Sequence, residues 1–139
     1  MSTMGIFGRR KGAAVSAAEV GTFASPHSLS DTLAVVYEGV ASQLSVAERE
    51  VQSPGIAASI FLSRLDATGL TVTAGNKIET YFQFRVDLQG QGSGCTGHAF
   101  FDRPMPDISR WMGNAIKLSF GLRSALTECS VQIENWRTG

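Results

Sequence analysis

The sequence predicts an α+β domain, with an antiparallel meander packed against an N-terminal helix and a long C-terminal helix in the order α-ββββ-α. Two observations carry this. Between Pro104 and Trp136, the residues Ile108, Met112, Ala115, Ser119, Leu122, Leu126, Cys129 and Ile133 recur at alternating steps of four and three. That is the spacing of one helix face. Residues 55–102 change to a period of two, interrupted by glycine- and asparagine-rich turns, which is the signature of strands with one buried face.

The first helix is predicted over Leu29–Leu44. Ser28 followed by Asp31 resembles a capping arrangement, and Leu29, Leu33, Val36, Val40 and Leu44 mark one face, widened by Tyr37 and Ala41. Gly39 interrupts this helix at a cost of about 1 kcal/mol relative to alanine. Ser45-Val46-Ala47-Glu48 is a second capping box and predicts a further short turn before Pro54.

Four strands follow. Ile56, Ala58, Ile60 and Leu62 alternate with Ala57, Ser59, Phe61 and Ser63. Asp66-Ala67-Thr68-Gly69 is a turn, and Leu70, Val72 and Ala74 then alternate with threonines. Gly75-Asn76 signals a hairpin. Thr80, Phe82, Phe84, Val86 and Leu88 lie opposite Tyr81, Gln83, Arg85 and Asp87, and a turn around Gly90-Gln91 leads into a last strand over Ser93–Phe101. That turn would set Gln83 against His98, Arg85 against Thr96 and Tyr81 against Phe100, as a polar and aromatic patch on the outer face. Val20–Phe23 could add a fifth, edge strand.

Pro104 and Pro106 exclude helix up to that point and suit the first turn beyond it. The long helix is taken to continue to Trp136 because the helical phase survives to Ile133. The alternative is a split near Thr127, since Ser130-Val131-Gln132-Ile133-Glu134 also alternates as a strand does.

At 139 residues, with 43% hydrophobic and 17% charged, the chain suits one globular domain, residues 26–139, preceded by a flexible arm, residues 1–25. Twelve basic and twelve acidic residues cancel. No basic excess invites nucleic acid, and little repulsion opposes self-association. No apolar run reaches the roughly 18 residues of a membrane span, so stable membrane insertion is not expected. Ala13–Ala24 contains Glu19, Ser16 and Gly21 and makes a poor signal-peptide core, which points to the cytoplasm.

Catalytic chemistry finds little purchase. Cys95 and His98 have a spacing that could begin a zinc site on a loop, but on a strand residues three apart face opposite ways. Gly92, Gly94 and Gly97 lack the strand–loop–helix context and the lysine of a phosphate-binding loop; in a strand they mark a bulge, a bend or a close approach. No serine sits in a nucleophile elbow and no carboxylate pair has an acid/base geometry. The expectation is a non-enzymatic protein without a metal or cofactor.

The positive expectation is space between sheet and long helix. Small Gly97 and Ala99 stand beside large Phe82, Phe84 and Phe101, with Trp111 and Met112 at the incoming end of the helix. These could line an apolar pocket, with Tyr37, Arg103 and His98 as polar anchors. Over roughly residues 20–136 the layout resembles the helix-grip arrangement of START and Bet v 1-like proteins in compact form, with fewer strands between the helices. That resemblance implies an apolar small-molecule or lipid-like ligand between sheet and helix. The alternative is an interaction or assembly module that forms a homodimer through a sheet edge or an uncovered helix stripe.

Overall fold

The computed structural model describes residues 17–102 and 111–137. The elements are β1 (Ala17–Ser25), α1 (Leu29–Ala41), a 3-10 turn (Val46–Arg49), β2 (Ser59–Asp66), β3 (Gly69–Gly75), β4 (Thr80–Gln91), β5 (Gly94–Asp102), α2 (Met112–Glu128) and β6 (Gln132–Glu134). The α+β class is as predicted, but the antiparallel sheet is open and six-stranded, ordered β2-β3-β4-β5-β1-β6. The meander β2–β5 was legible in sequence. The two further strands come from the flanks of the chain. Ala17–Ser25, within the stretch expected to be a flexible arm, forms β1, which lies between β5 and β6 and not at an edge; residues 1–16 lie outside the described residues.

Local chemistry sets the boundaries. The Asp31 amide donates to Ser28 Oγ at 3.1 Å and opens α1. The Ser45 amide donates to Glu48 Oε1 at 2.8 Å, one half of the predicted capping box. Asp66 Oδ1 accepts from the Thr68 amide in the first hairpin, and Asn76 Oδ1 accepts from Ile78 and Glu79 in the second. The β4–β5 hairpin turns at Gly92-Ser93, where Gly92 has φ +62. This is two residues later than Gly90-Gln91. His98 therefore pairs with Asp87, not Gln83, and Phe100 pairs with Arg85, not Tyr81. Because the register slides by an even number, every side chain keeps its expected face.

Phe82, Phe84, Val86 and Leu88 of β4 and Ala99 and Phe101 of β5 join one core with Val36 and Val40 of α1 and Leu118, Leu122 and Leu126 of α2. Both helices lie on this inner face. Phe23 of β1 pairs with Gly97, and a Cβ on that glycine would fall 2.0 Å from the Phe23 ring. The glycine marks a close approach: the ring lies across it and fills the place of the missing side chain.

The long helix does not reach Trp136. It ends at Glu128 through a Schellman closure: the Val131 amide donates to the Leu126 carbonyl at 3.0 Å and the Ser130 amide to the Thr127 carbonyl at 3.1 Å. Ser130 takes the left-handed conformation, φ +61, that glycine usually supplies. With serine there, the sequence carried no stop signal. The chain then pairs Gln132–Glu134 with Thr22–Ala24. Trp136 packs over Gly21 and donates Nε1–H to Ser119 Oγ at 3.2 Å, and the Arg137 amide donates to the Val20 carbonyl at 2.7 Å. Ile133 and Trp136 thus reach the core from a returning strap, and their helical spacing is incidental.

The two helices touch at Gly39 and Gly121. A Cβ on Gly39 would stand 2.7 Å from the Gly121 carbonyl oxygen and 2.8 Å from Ala125 Cβ. The apparent defect in α1 is the crossing point. Gly39→Ala should therefore destabilise the fold by about 1–3 kcal/mol through overpacking, despite alanine's better helix propensity. Urea denaturation, comparing midpoints at unchanged slope, would show this; a stabilised variant would mean the helices have room to separate.

Candidate functional site

Three concave regions among the described residues are each built differently. The first lies where the pocket was expected, at the start of α2. Met112, Ala115 and Ser119 of α2 face Ala18, Val20 and Phe101, with Glu19 and Arg137 at the mouth, around a cleft of about 140 Å³. A drug-sized ligand needs about 300–1,000 Å³. Phe82 and Phe84 do not contribute: they are fully buried, and Phe101 packs against both with ring centroids 5.6 and 5.4 Å apart. Large beside small is interdigitated packing at Phe82, Phe84 and Phe101.

The lining residue Trp111 and the proposed anchors Tyr37 and His98 do not come together. Trp111 stacks on Tyr81, centroids 6.0 Å apart at 26°. Tyr37 packs against the core, and its hydroxyl donates to the Arg49 carbonyl at 3.2 Å. Arg103 lies outside the described residues. His98 is on the opposite side of the sheet and cannot anchor anything beneath α2: strand alternation turns Cys95 inward, 2% exposed, and His98 outward. The same alternation keeps those two side chains from sharing a ligand. Among the described residues no group of three or more potential metal ligands occurs.

The second region is the outer sheet face. Arg64 joins Asp66 at 2.9 Å and Asp87 at 3.1 Å; Arg85 joins Asp87 at 3.3 Å and Asp102 at 3.0 Å. Phe100 carries Arg85 5.4 Å from its ring centroid and His98 stacked at 4.6 Å. His98 Nε2 lies 2.5 Å from Glu19 Oε1, and this bond holds the Glu19 carboxyl below its ordinary range. Asp66 is likewise held low by Arg64 and by Thr68. Beside this network a groove of about 640 Å³ crosses the sheet, with Thr22, Ala24 and Thr96 as a floor of small side chains and His98, Gln89 and Glu134 among its walls.

The third region is the outward side of the helix layer. Phe120 is 66% exposed and Ile116, one turn before it, 43%. Next to Phe120 the Gly39–Gly121 crossing leaves a notch of about 250 Å³, walled by Glu38 of α1, by Ser42 and Gln43 just past its end, and by Ser124 and Glu128 of α2. Sequence reasoning passed over Phe120. The available signal was its position four residues after Ile116, on a row distinct from Leu118–Leu122. No described helix is long and apolar enough to cross a membrane.

Compared with known proteins, the chain matches no family model, no curated protein and no solved structure.

The Glu19–His98 contact gives a pH dependence of definite sign. A carboxyl whose folded pKa lies below its unfolded value contributes stability that is present above the unfolded value, near 4.5, and is lost as pH falls through the folded one. Glu19→Gln should therefore flatten part of the acid limb below about pH 4.5 and leave the limb above it unchanged. Thermal melts across that range would test this; an acid limb as steep as wild type would remove Glu19 from the account.

Proposed function

We propose that this protein is a non-enzymatic interaction module that self-associates through the outward side of α2. The observation that supports this reading is the pair Ile116–Phe120, exposed on consecutive turns of an otherwise well-packed helix beside a notch floored by glycine. Isolated exposed aliphatics need no explanation, but a large aromatic next to a matching hollow is an interface feature. Knob and hollow lie on one patch, so a two-fold axis would bring each Phe120 to the partner's notch. The flanking charges suit the same symmetry: Lys117 and Arg123 are exposed on α2, while Glu38 and Glu128 wall the notch. With no net charge on the chain, long-range repulsion does not oppose the encounter.

Burying one phenylalanine contributes about 1.5–3 kcal/mol, and the two-fold arrangement buries two. Phe120→Glu should therefore weaken self-association at least about 100-fold while leaving the thermal unfolding of the monomer close to wild type. Sedimentation velocity over a concentration series would measure it. A wild-type chain that stays monomeric at high concentration would end the proposal.

A second reading keeps the cleft at Met112 and Phe101 as a ligand site. It is supported by the cleft's apolar lining and its Glu19–Arg137 mouth. At about 140 Å³ it would admit a benzene-sized group or the end of an alkyl chain, not an enclosed lipid. Short-chain alcohols should then shift the Met112 methyl resonance saturably, and Ala115→Leu should abolish the shift by filling the space. A shift that survives the substitution would place the alcohol elsewhere.

A further inference from the structure

The cleft at Met112 and Phe101 is bounded on one side by the C-terminal strap. Arg137 stands at its mouth. Trp136, one residue earlier, lies over Gly21, where a Cβ would fall 2.4 Å from Trp136 Cε3. The indole therefore fills a slot that any side chain at residue 21 would block. Its N–H reaches Ser119 Oγ at 3.2 Å, and Ser119 also lines the cleft. Val20 does both as well: it lines the cleft, and its carbonyl accepts from the Arg137 amide at 2.7 Å. Slot and cleft thus share Val20 and Ser119 as walls.

The strap is held by few contacts. β6 has three residues and stands at the end of the sheet, paired through Thr22–Ala24 alone. Ser130 at φ +61 and Asn135 at φ +51 bracket it, in a left-handed conformation that is unfavourable without glycine. Past Glu134 the strap is fastened by the Trp136–Ser119 and Arg137–Val20 bonds and by an indole that is half-buried. Segments fastened in this way open at a lower free energy than the core does.

What an open strap leaves behind has a definite chemistry. A cavity of about 150 Å³ holds benzene, and an indole is larger. Withdrawing Trp136 therefore enlarges the hollow from about 140 Å³ to roughly 300 Å³, the lower end for a small-molecule site. The cleft's share of the walls is apolar: Ala18, Val20, Phe101, Met112 and Ala115. Gly21 keeps the slot shallow enough for a flat ring. Ser119, 5% exposed, is left with a hydroxyl oxygen that has lost its donor, and an unmatched polar group in such a place favours any ligand that restores the bond. These features together select a planar aromatic ring with one N–H.

We propose that Trp136 is a displaceable plug, and that the Gly21 slot with its adjoining cleft binds a planar aromatic ligand carrying one N–H donor as the strap swings away. This rests on the reading of the cleft as a ligand site, and adds to it the class of ligand and the part that moves. Release of β6 also leaves the β1 edge at Thr22–Ala24 unpaired, so that occupancy of the slot changes what the sheet edge presents.

The test titrates indole into the wild-type chain and into Trp136→Gly, with benzofuran as the ring of similar shape that lacks the N–H. In the wild type the Met112 methyl, the Trp136 Nε1–H and the Arg137 amide resonances should shift together with one dissociation constant, the last two toward the positions of an unstructured chain. Indole should bind the wild type at least about tenfold more weakly than Trp136→Gly, because the closed strap must first open. Trp136→Gly should prefer indole over benzofuran at least about threefold. If that variant is poorly folded, indole should raise its melting temperature. A Met112 shift with Trp136 and Arg137 unmoved would put the ligand in the cleft beside a closed strap, so the cleft would remain a ligand site and the plug would be overturned. Binding to Trp136→Gly with none to the wild type would make the strap a fixed wall and overturn it too. Equal affinities for the two rings would overturn the assignment of an N–H donor.

Discussion

The packing of Phe101 against Phe82 and Phe84 governs the rest of this structure. Three rings meeting at two centroid distances below 6 Å occupy the space that a sheet and a covering helix would otherwise enclose. With that volume filled, α2 can sit directly on the sheet through Leu118, Leu122 and Leu126, while a cleft remains open near Met112. Interiors at crystal-like density leave few voids.

Seating α2 against the sheet also obliges α1 to share its inner flank. The crossing at Gly39 and Gly121 brings the two backbones closer than any side chain would allow, so α1 covers the Leu122–Ala125 side of α2. What neither the sheet nor α1 covers is the Ile116–Phe120 row. The exposed aromatic and the adjoining notch thus arise from one geometric fact: two helices packed at glycines leave a hollow above the contact and an uncovered row beside it. On the other side of the sheet the same strands present charge. Strand alternation sends Arg85, Asp87, His98 and Asp102 outward for the reason that it sends Val86, Ala99 and Phe101 inward.

How much was readable from the chain follows from the range of each signal. Alternation over Thr80–Leu88 is local, and it placed those side chains on their faces even though the hairpin turned two residues later than expected. Caps are local too, and Ser28 and Ser45 act where their spacing put them. The end of α2 was also local, but Ser130 stands in a left-handed position without the glycine that would have announced it, and the periodic Ile133 and Trp136 argued for continuation. Among the candidate pocket residues, Phe101 and Met112 do meet at a cleft. His98 fails because strand parity, already present in the alternation, sends it to the other face. Phe120 was missed because exposure is a property of what neighbours leave uncovered.

The sequence alone determined the α+β class, the faces of the central strands and the first helix with its cap, because periodicity and capping are written in residues a few positions apart. Only the tertiary structure decided that β1 and β6 extend the sheet to six strands, that Gly39 is a contact and not a flaw, that Phe82, Phe84 and Phe101 pack against one another and that Phe120 is left bare. Each of these depends on backbones far apart in sequence arriving at the same place, and no local pattern specifies the distance between them.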